Sequence, residues 1–155
     1  MTDERHFRAL ERMYLAGPIN EIFRPEIRVS KGEARIEIRL SEQYHHAGGA
    51  VHGSVYFKML DDAAFFAANS LEPEFFVLTT TFTTYLTRPV SQGILVSQGR
   101  VVSQTKSQFI AESVVYDDQG RDIGRGNGIF VRSRKALTDA MGYGEATRDQ
   151  SGKTG

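Results

Sequence analysis

The side chains with the clearest chemical capacity in this sequence lie in one stretch, HHAGGAVHGSVYFKMLDDAAFFAANS, at residues 45–70. Two adjacent acids, Asp61 and Asp62, stand inside a long apolar run, and histidines and glycines precede that run. A carboxylate can activate water or attack a carbonyl carbon, and glycines let a substrate approach the backbone closely. The stretch is therefore a candidate catalytic site.

The elements around this stretch follow from the hydrophobic pattern. Residues 54–70 are apolar nearly all round, which predicts one long buried helix. Before it, residues 3–15 have the spacing of an amphipathic helix, and residues 25–40 contain the polar–apolar alternation of a strand or hairpin. Short links between consecutive strands indicate an antiparallel sheet, which would bury the helix by curling around it. Four strands are predicted after the helix, at residues 76–86, 94–102, 109–116 and 123–131.

A chain of 155 residues is long enough for one domain and its core. We predict an N-terminal helical extension at residues 1–20, the main domain at residues 21–134, and a disordered tail at residues 135–155, which have little apolar content. Glycines at alternate positions from 124 to 128 indicate close packing on one face of the last strand. A sheet around one helix leaves an edge strand uncovered, so two subunits are expected to pair through these edges.

The composition excludes several classes of protein. Nineteen basic residues balance nineteen acidic ones, whereas a general nucleic-acid binder needs a basic excess. Cysteine is absent, so the chain has no disulfide and no thiol nucleophile. No apolar run reaches the ~18 residues that span a membrane, and the charged N-terminus lacks the apolar core of a signal peptide. We therefore expect a soluble, cytoplasmic protein with no nucleic-acid and no membrane partner.

Three motifs follow one another along the chain. His52 and Gly53 open the long helix, and Asp61 comes nine residues after that histidine. Arg88-Pro89 follows the next strand, and Tyr116-Asp117 begins a hairpin that leads into the alternating glycines. In this order and spacing, the chain between residues 27 and 132 resembles the hotdog-fold acyl-CoA thioesterases of the phenylacetic-acid-type (PaaI-like) branch.

The resemblance implies an α+β fold in which a curved antiparallel sheet wraps round one long central helix, here with an extra N-terminal helix. It also implies a function, the hydrolysis of an acyl-CoA thioester to a free acid and CoA. The site would be shared between two subunits of a homodimer or homotetramer (a dimer of dimers), with acyl-CoA as the partner molecule and no cofactor.

The resemblance also assigns roles to residues. The N–H of Gly53, at the helix N-terminus, would bind the oxyanion of the thioester. Asp61 would be the base or the nucleophile. Because it lies about two and a half turns into the helix, too far from the N–H groups of that same helix, it would act across the subunit interface. Thr79 stands where the family often has Ser or Thr near the thioester, although strand propensity alone also explains a threonine there.

Two positions depart from the family pattern. Ser54 replaces the second glycine of the helix start, and we place it in substrate binding. His46 replaces an asparagine found six residues before His52 in many members, and we expect it to face the pocket. His52 is expected to fix its loop by hydrogen bonding. Arg88 could meet a CoA phosphate or cap the sheet edge, and the sequence favours neither.

Simpler interpretations remain for the charged residues. Lys58 precedes Asp61 by three residues and Asp62 by four, so the three could form an ordinary ion cluster on the helix. We keep that interpretation for Asp62 and prefer catalysis for Asp61 because of its spacing to His52. His45 and its neighbouring histidines make a poor ligand set without cysteine, so no metal is expected.

Two other functions compete with hydrolysis. A hotdog hydratase or dehydratase uses a histidine and an acid on a β-hydroxyacyl thioester, and His46 with Asp61 could imitate that pair. The His-Gly start of the helix favours hydrolysis instead. The third possibility is an acyl-CoA-binding sensor without turnover. The sequence does not identify the acyl group.

Overall fold

The computed structural model describes residues 3–144. The helices are α1 (Asp3–Ala16), α2 (Asn20–Phe23) and α3 (Gly53–Asn69). Short 3-10 helices occupy Glu42–Tyr44 and Asp139–Met141. The strands are β1 (Glu26–Ser30), β2 (Glu33–Arg39), β3 (Phe75–Leu86), β4 (Ile94–Gln104), β5 (Gln108–Tyr116) and β6 (Asp122–Ala136).

The six strands form one antiparallel sheet in the order β1-β2-β4-β5-β6-β3. Helix α3 packs against the sheet, and its central residues Leu60, Ala63 and Ala64 are fully buried. The expected α+β arrangement, a sheet around one buried helix with an added N-terminal helix, is confirmed. The predicted elements after residue 53 agree with the observed ones except at the last strand, which extends five residues past the predicted end at 131.

Helix α3 is held against the middle of the sheet by close backbone approach. The hydroxyl of Ser113 on β5 donates to the carbonyl of Leu60 at 2.7 Å. On β4, a Cβ added to Gly99 would overlap the backbone of Ala63. Only glycine permits this approach, so the depth of α3 in the sheet is fixed at the turn that carries Asp61.

The glycines of β6 allow a similar approach on its inner face. A Cβ at Gly126 or Gly128 would overlap the ring of Phe82 or the backbone of β3. The ring of Phe82 therefore lies over these glycines and makes edge-to-face contacts with Phe57 and Phe130, at centroid distances of 5.7 and 6.4 Å. This confirms the close packing that the alternating glycines predict.

Asn69 joins the end of α3 to the start of β3. Its buried side-chain amide donates to the carbonyl of Phe75 at 3.0 Å and accepts from the N–H of Val77 at 3.1 Å. Because both elements are fixed to this one side chain, the register of β3 along α3 is set. That register brings Thr79 beside Asp61.

The two edges of the sheet differ. The β1 edge is covered by α1, whose apolar face buries Phe7, Leu10 and Met13. Strand β3 is 12 residues long, and its outer edge has no strand partner within the part of the chain that the structure describes. Leu78 and Leu86 on it are about half exposed, at 47% and 50%. Such an edge is a surface for pairing with a further strand.

The C-terminal region corrects one prediction. Strand β6 continues to Ala136, a 3-10 helix follows at Asp139–Met141, and Tyr143 is buried. The hydroxyl of Tyr143 bonds Nδ1 of His6 at 2.7 Å. The low apolar content after residue 134 concealed this packing because the segment uses single side chains on α1 rather than a hydrophobic face. The rest of the predicted tail, residues 145–155, lies outside the described residues.

Candidate active site

Asp61 lies on the side of α3 that faces β3. Its Oδ1 accepts a hydrogen bond from the hydroxyl of Thr79 at 2.9 Å. The surroundings raise the pKa of Asp61 to about 6. Burial is the largest cause, the bond from Thr79 opposes it, and the charges of Asp62 and Lys58 act in opposite directions. A carboxylate with a pKa near neutrality is suited to accept a proton from water.

Asp62 faces α1 and has a different set of partners. Its Oδ2 lies 2.5 Å from Nζ of Lys58 and accepts the hydroxyl of Tyr14 at 2.7 Å. The ion pair expected for Asp62 is therefore present, and the tyrosine is an addition to it. Burial and the Asp62 carboxylate raise the pKa of Tyr14 well above its usual range, so the phenol remains a donor. Asp62 thus fastens α1 to α3.

The start of α3 forms a second group of candidate residues. His52 is the N-cap, and its Nδ1 accepts from the N–H of Ser54 at 3.0 Å and lies 2.8 Å from the Ser54 hydroxyl. This cap satisfies one of the leading N–H groups of the helix. The N–H of Gly53, the first helical residue, has no acceptor within the helix. Gly53 lies against β3, since an added Cβ would be 3.1 Å from Cδ1 of Leu86.

The loop before α3 holds His46 in a turn. Its Nδ1 accepts from the N–H of Gly48 at 2.9 Å, its own N–H bonds the carbonyl of Ala50, and the side chain is exposed. His45 bonds the carbonyl of Ser91 through Nε2 at 2.6 Å. Within one chain, His46 lies apart from the cleft that contains Asp61. Residues 3–144 contain no cluster of three or more histidines and acids that could hold a metal ion.

Arg88 follows β3 on the same side as the start of α3. The hydroxyl of Tyr56, on α3, donates to its carbonyl at 2.8 Å, which fixes the backbone of Arg88 next to the first turn of that helix. Its side chain is exposed, and no acid among residues 3–144 forms an ion pair with it.

The candidate residues therefore form two groups in one chain. Asp61 and Thr79 are in direct contact, whereas Gly53, His52 and the neighbouring Arg88 lie at the other end of the same helix. Gly53 and Asp61 are eight residues apart, a rise of about 12 Å along α3. Strand β3 connects the two groups, since Thr79 touches one and Leu86 touches the other.

A mostly apolar cleft of about 460 Å³ opens beside Asp61. The sequence analysis singled out Asp61 and Thr79 on one side of this cleft but none of the residues on its outer side, which include Tyr14, Ile19 and Met141. No signal marks these residues, because apolar side chains in and after an amphipathic helix look like ordinary core positions. The part of the chain from 3 to 144 contains no helix long and apolar enough to span a membrane.

Comparison with known proteins supports both the fold and the family. Residues 48–123 match the model of the thioesterase superfamily. A candidate esterase of Saccharolobus solfataricus is 24% identical over 114 residues, which are 74% of this chain and 76% of that protein.

Solved structures share the fold at low identity. The PaaI protein from the phenylacetic acid degradation operon of E. coli has a TM-score of 0.80 and 18% identity, over 89% of this chain and all (100%) of that one. A variant of the phenylacetic acid degradation protein PaaI from Thermus thermophilus has a TM-score of 0.68 and 17% identity, over 75% and 99% of the two chains. The sheet and the central helix are those of the hotdog fold, and the match over residues 48–123 supports a place for this protein in the thioesterase superfamily.

Proposed function

We propose that the protein hydrolyses an acyl-CoA thioester to a free acid and CoA, in a site that two subunits share. The observation that carries this proposal is the position of Asp61. Its carboxylate has a pKa raised to about 6, is held by Thr79, and borders an apolar cleft. Asp61 is thus suited to act as the base. Hydrolysis also needs a group that binds the oxyanion, and the candidate for it lies about 12 Å away at the start of α3.

Pairing of two β3 edges would join the two groups. Thr79 lies beside Asp61, and Leu86 lies beside Gly53. The midpoint of these two β3 positions falls between Phe82 and Thr83. If two copies pair antiparallel about a two-fold axis near that point, the end of β3 that carries Thr79 lies opposite the end of the partner strand that carries Leu86. Asp61 then approaches the partner's Gly53, and the exposed apolar edge is covered.

The steps of thioester hydrolysis in such a site follow from the groups that the two subunits would bring together. The N–H of Gly53 would bind the thioester oxygen as it becomes an oxyanion. Asp61 from the other subunit would take a proton from water while the water oxygen bonds to the carbonyl carbon. The C–S bond then breaks, the proton passes to the departing sulfur, and the acid and CoA leave. In the alternative, the Asp61 carboxylate attacks the carbonyl carbon, and the C–S bond breaks to leave an anhydride and a CoA thiolate, which takes a proton from water. Water then cleaves the anhydride, which releases the acid and restores Asp61.

The other candidate residues have supporting roles in this proposal. Thr79 orients the Asp61 carboxylate, and His52 holds the first turn of α3 so that its N–H groups face the substrate. The exposed hydroxyl of Ser54 and the guanidinium of Arg88 lie near that turn, where the polar CoA arm would pass. An unpaired guanidinium is suited to a phosphate. His46 would contribute from the adjoining loop. The cytoplasmic location and the absence of a cofactor remain predictions.

A panel of acyl-CoA thioesters, including straight-chain and arylacetyl groups, tests the proposal. We expect release of free CoA thiol, measured with a thiol-reactive chromophore. Double-bond absorbance without thiol from a β-hydroxyacyl-CoA would indicate a dehydratase instead. Binding of acyl-CoA without any product would indicate a sensor. Either of the last two results would overturn the proposal.

A further inference from the structure

The cleft beside Asp61 has walls of two different origins. Its inner walls come from α3 and β3, through side chains such as Phe65, Phe66 and Leu78. These positions belong to the segment 48–123 that matches the superfamily. The outer wall comes from residues before and after that segment, chiefly Ile19 after α1 and Met141 in the C-terminal 3-10 helix.

The outer wall is fixed in place by polar contacts. Tyr14 is bonded to Asp62, and the side-chain amide of Asn20 donates to the carbonyl of Tyr14 at 2.8 Å. At the other end of the chain, Nε of Arg12 donates to the carbonyl of Gly144 at 2.7 Å. A Cβ at Gly142 would overlap the side chain of Ala16. The C-terminal segment thus packs closely on α1, and these contacts make the outer wall a fixed part of the folded domain.

The lining distinguishes which arm of an acyl-CoA the cleft would take. Lys58 is the only basic side chain that lines it among the described residues, and Asp62 already neutralises that charge. Phosphates would lose their hydration there without gaining a free cation. The aromatic and aliphatic lining suits an apolar acyl group, whereas the unpaired Arg88 lies outside the cleft.

We propose that Ile19 and Met141 are specificity-determining residues that limit the size of an apolar acyl group bound beside Asp61. This inference rests on the proposed function for its choice of substrate. Ile19 is 53% exposed at the mouth of the cleft, and Met141 is partly buried. Truncating either side chain enlarges the space at the outer wall without removing a side chain from the buried core. A longer acyl group then fits, while the binding of an acyl group too short to reach the wall is unaffected.

The experiment measures binding separately from turnover. Non-hydrolysable alkyl-CoA thioethers of two to twelve carbons are titrated into wild type, Ile19→Ala, Met141→Ala and Ile19→Trp. We expect the two alanine variants to raise the affinity ratio of dodecyl- to butyl-CoA about tenfold, and the tryptophan variant to lower it similarly. Leu15→Ala is the matched control, because Leu15 is 50% exposed on α1 and does not line the cleft.

The outcomes separate this inference from the proposed function. An unchanged chain-length dependence in all three wall variants overturns the inference, as does an equal change in Leu15→Ala or a wild type that binds no thioether. If the ratios shift as expected but no acyl-CoA releases thiol, the acyl cleft stands and the hydrolytic function fails.

Discussion

The two sides of α3 place neighbouring acids in different environments. Asp61 faces β3, where a hydroxyl is its closest partner and burial raises its pKa to about 6. Asp62 faces α1, where an ammonium group and a phenol both contact the same carboxylate oxygen. Adjacency in sequence therefore says little about role. A carboxylate without a direct cationic partner can exchange protons near neutral pH, whereas a paired one serves to join two helices.

The largest loss of activity is expected when Asp61, the proposed base, is replaced. Asp61→Asn keeps the size and the bond from Thr79 but cannot accept a proton. We expect kcat/KM for thiol release to fall about 10²–10⁴-fold with the fold intact. Asp62→Asn, the matched control, can still accept from Tyr14 and should cost little activity. Equal losses in the two variants, each with a native circular dichroism spectrum, would contradict the distinction.

A slightly smaller loss is expected at the other end of α3. Gly53→Pro deletes the N–H assigned to the oxyanion, and proline is favoured at the first helical position. His52 has φ −61° and ψ 140°, a conformation that tolerates a following proline. We expect kcat/KM to fall about 10²–10³-fold. Gly53→Ala is the matched control, because it also adds atoms next to Leu86 but keeps the N–H, and it should retain most activity. A similar loss in both variants would argue against the oxyanion role.

Mixing the two inactive variants shows whether the ends of α3 cooperate between subunits. A dimer of Asp61→Asn with Gly53→Pro contains one intact site of two, and random exchange makes half of the dimers mixed. About a quarter of wild-type activity should return after refolding the variants together. Light scattering should give at least twice the chain mass of 17.3 kDa. No recovery from an exchanged mixture, or an active monomer, would exclude a shared site.

The pH dependence sharpens the contrast between the two acids. A base must be ionised, so kcat/KM should fall about tenfold per unit as pH drops below about 6, the raised pKa of Asp61. Lys58 lowers the pKa of Asp61, so Lys58→Met should move this limb to higher pH. A wild-type rate that is flat from pH 5 to 8, or a limb that Lys58→Met leaves in place, would show that another group controls the rate.

The smallest effect is expected at His46. Its Nδ1 accepts the N–H of Gly48, and an asparagine oxygen can make the same bond. His46→Asn, which introduces the residue that the family resemblance implies here, should retain activity, whereas His46→Ala should lose several-fold at every pH. Steady-state rates from pH 5 to 8 provide the measurement. Wild-type rates in the alanine variant would show that His46 is not needed.

Much of the fold was predictable because its signals are local. The apolar run of α3, the alternation in β2 and the glycines of β6 each describe their own element and the face it buries. The choice of Asp61 over Asp62 depended on resemblance, since both acids have the same local sequence. Thr79 was ambiguous among several threonines. Its contact with Asp61 depends on the register that Asn69 sets, and one sequence does not display such a register.

The outer wall of the cleft could not be predicted, because its contacts join distant parts of the chain. The bond between His6 and Tyr143 spans 137 residues, and the bond between Arg12 and Gly144 spans 132. Both depend on single side chains, so they leave no periodic pattern. Low apolar content after residue 134 pointed to disorder, although the segment up to residue 144 packs on α1.

These long-range bonds have a consequence for how the molecule is made. Translation delivers α1 to the ribosomal exit first, and Met141 to Gly144 only after every strand of the sheet. Loop closure over more than 130 residues is a late event, because local contacts form first. A nascent chain can therefore complete its helix and sheet before the cleft has an outer wall. The acyl selectivity that we propose for this cleft would then arise only after the sheet is complete.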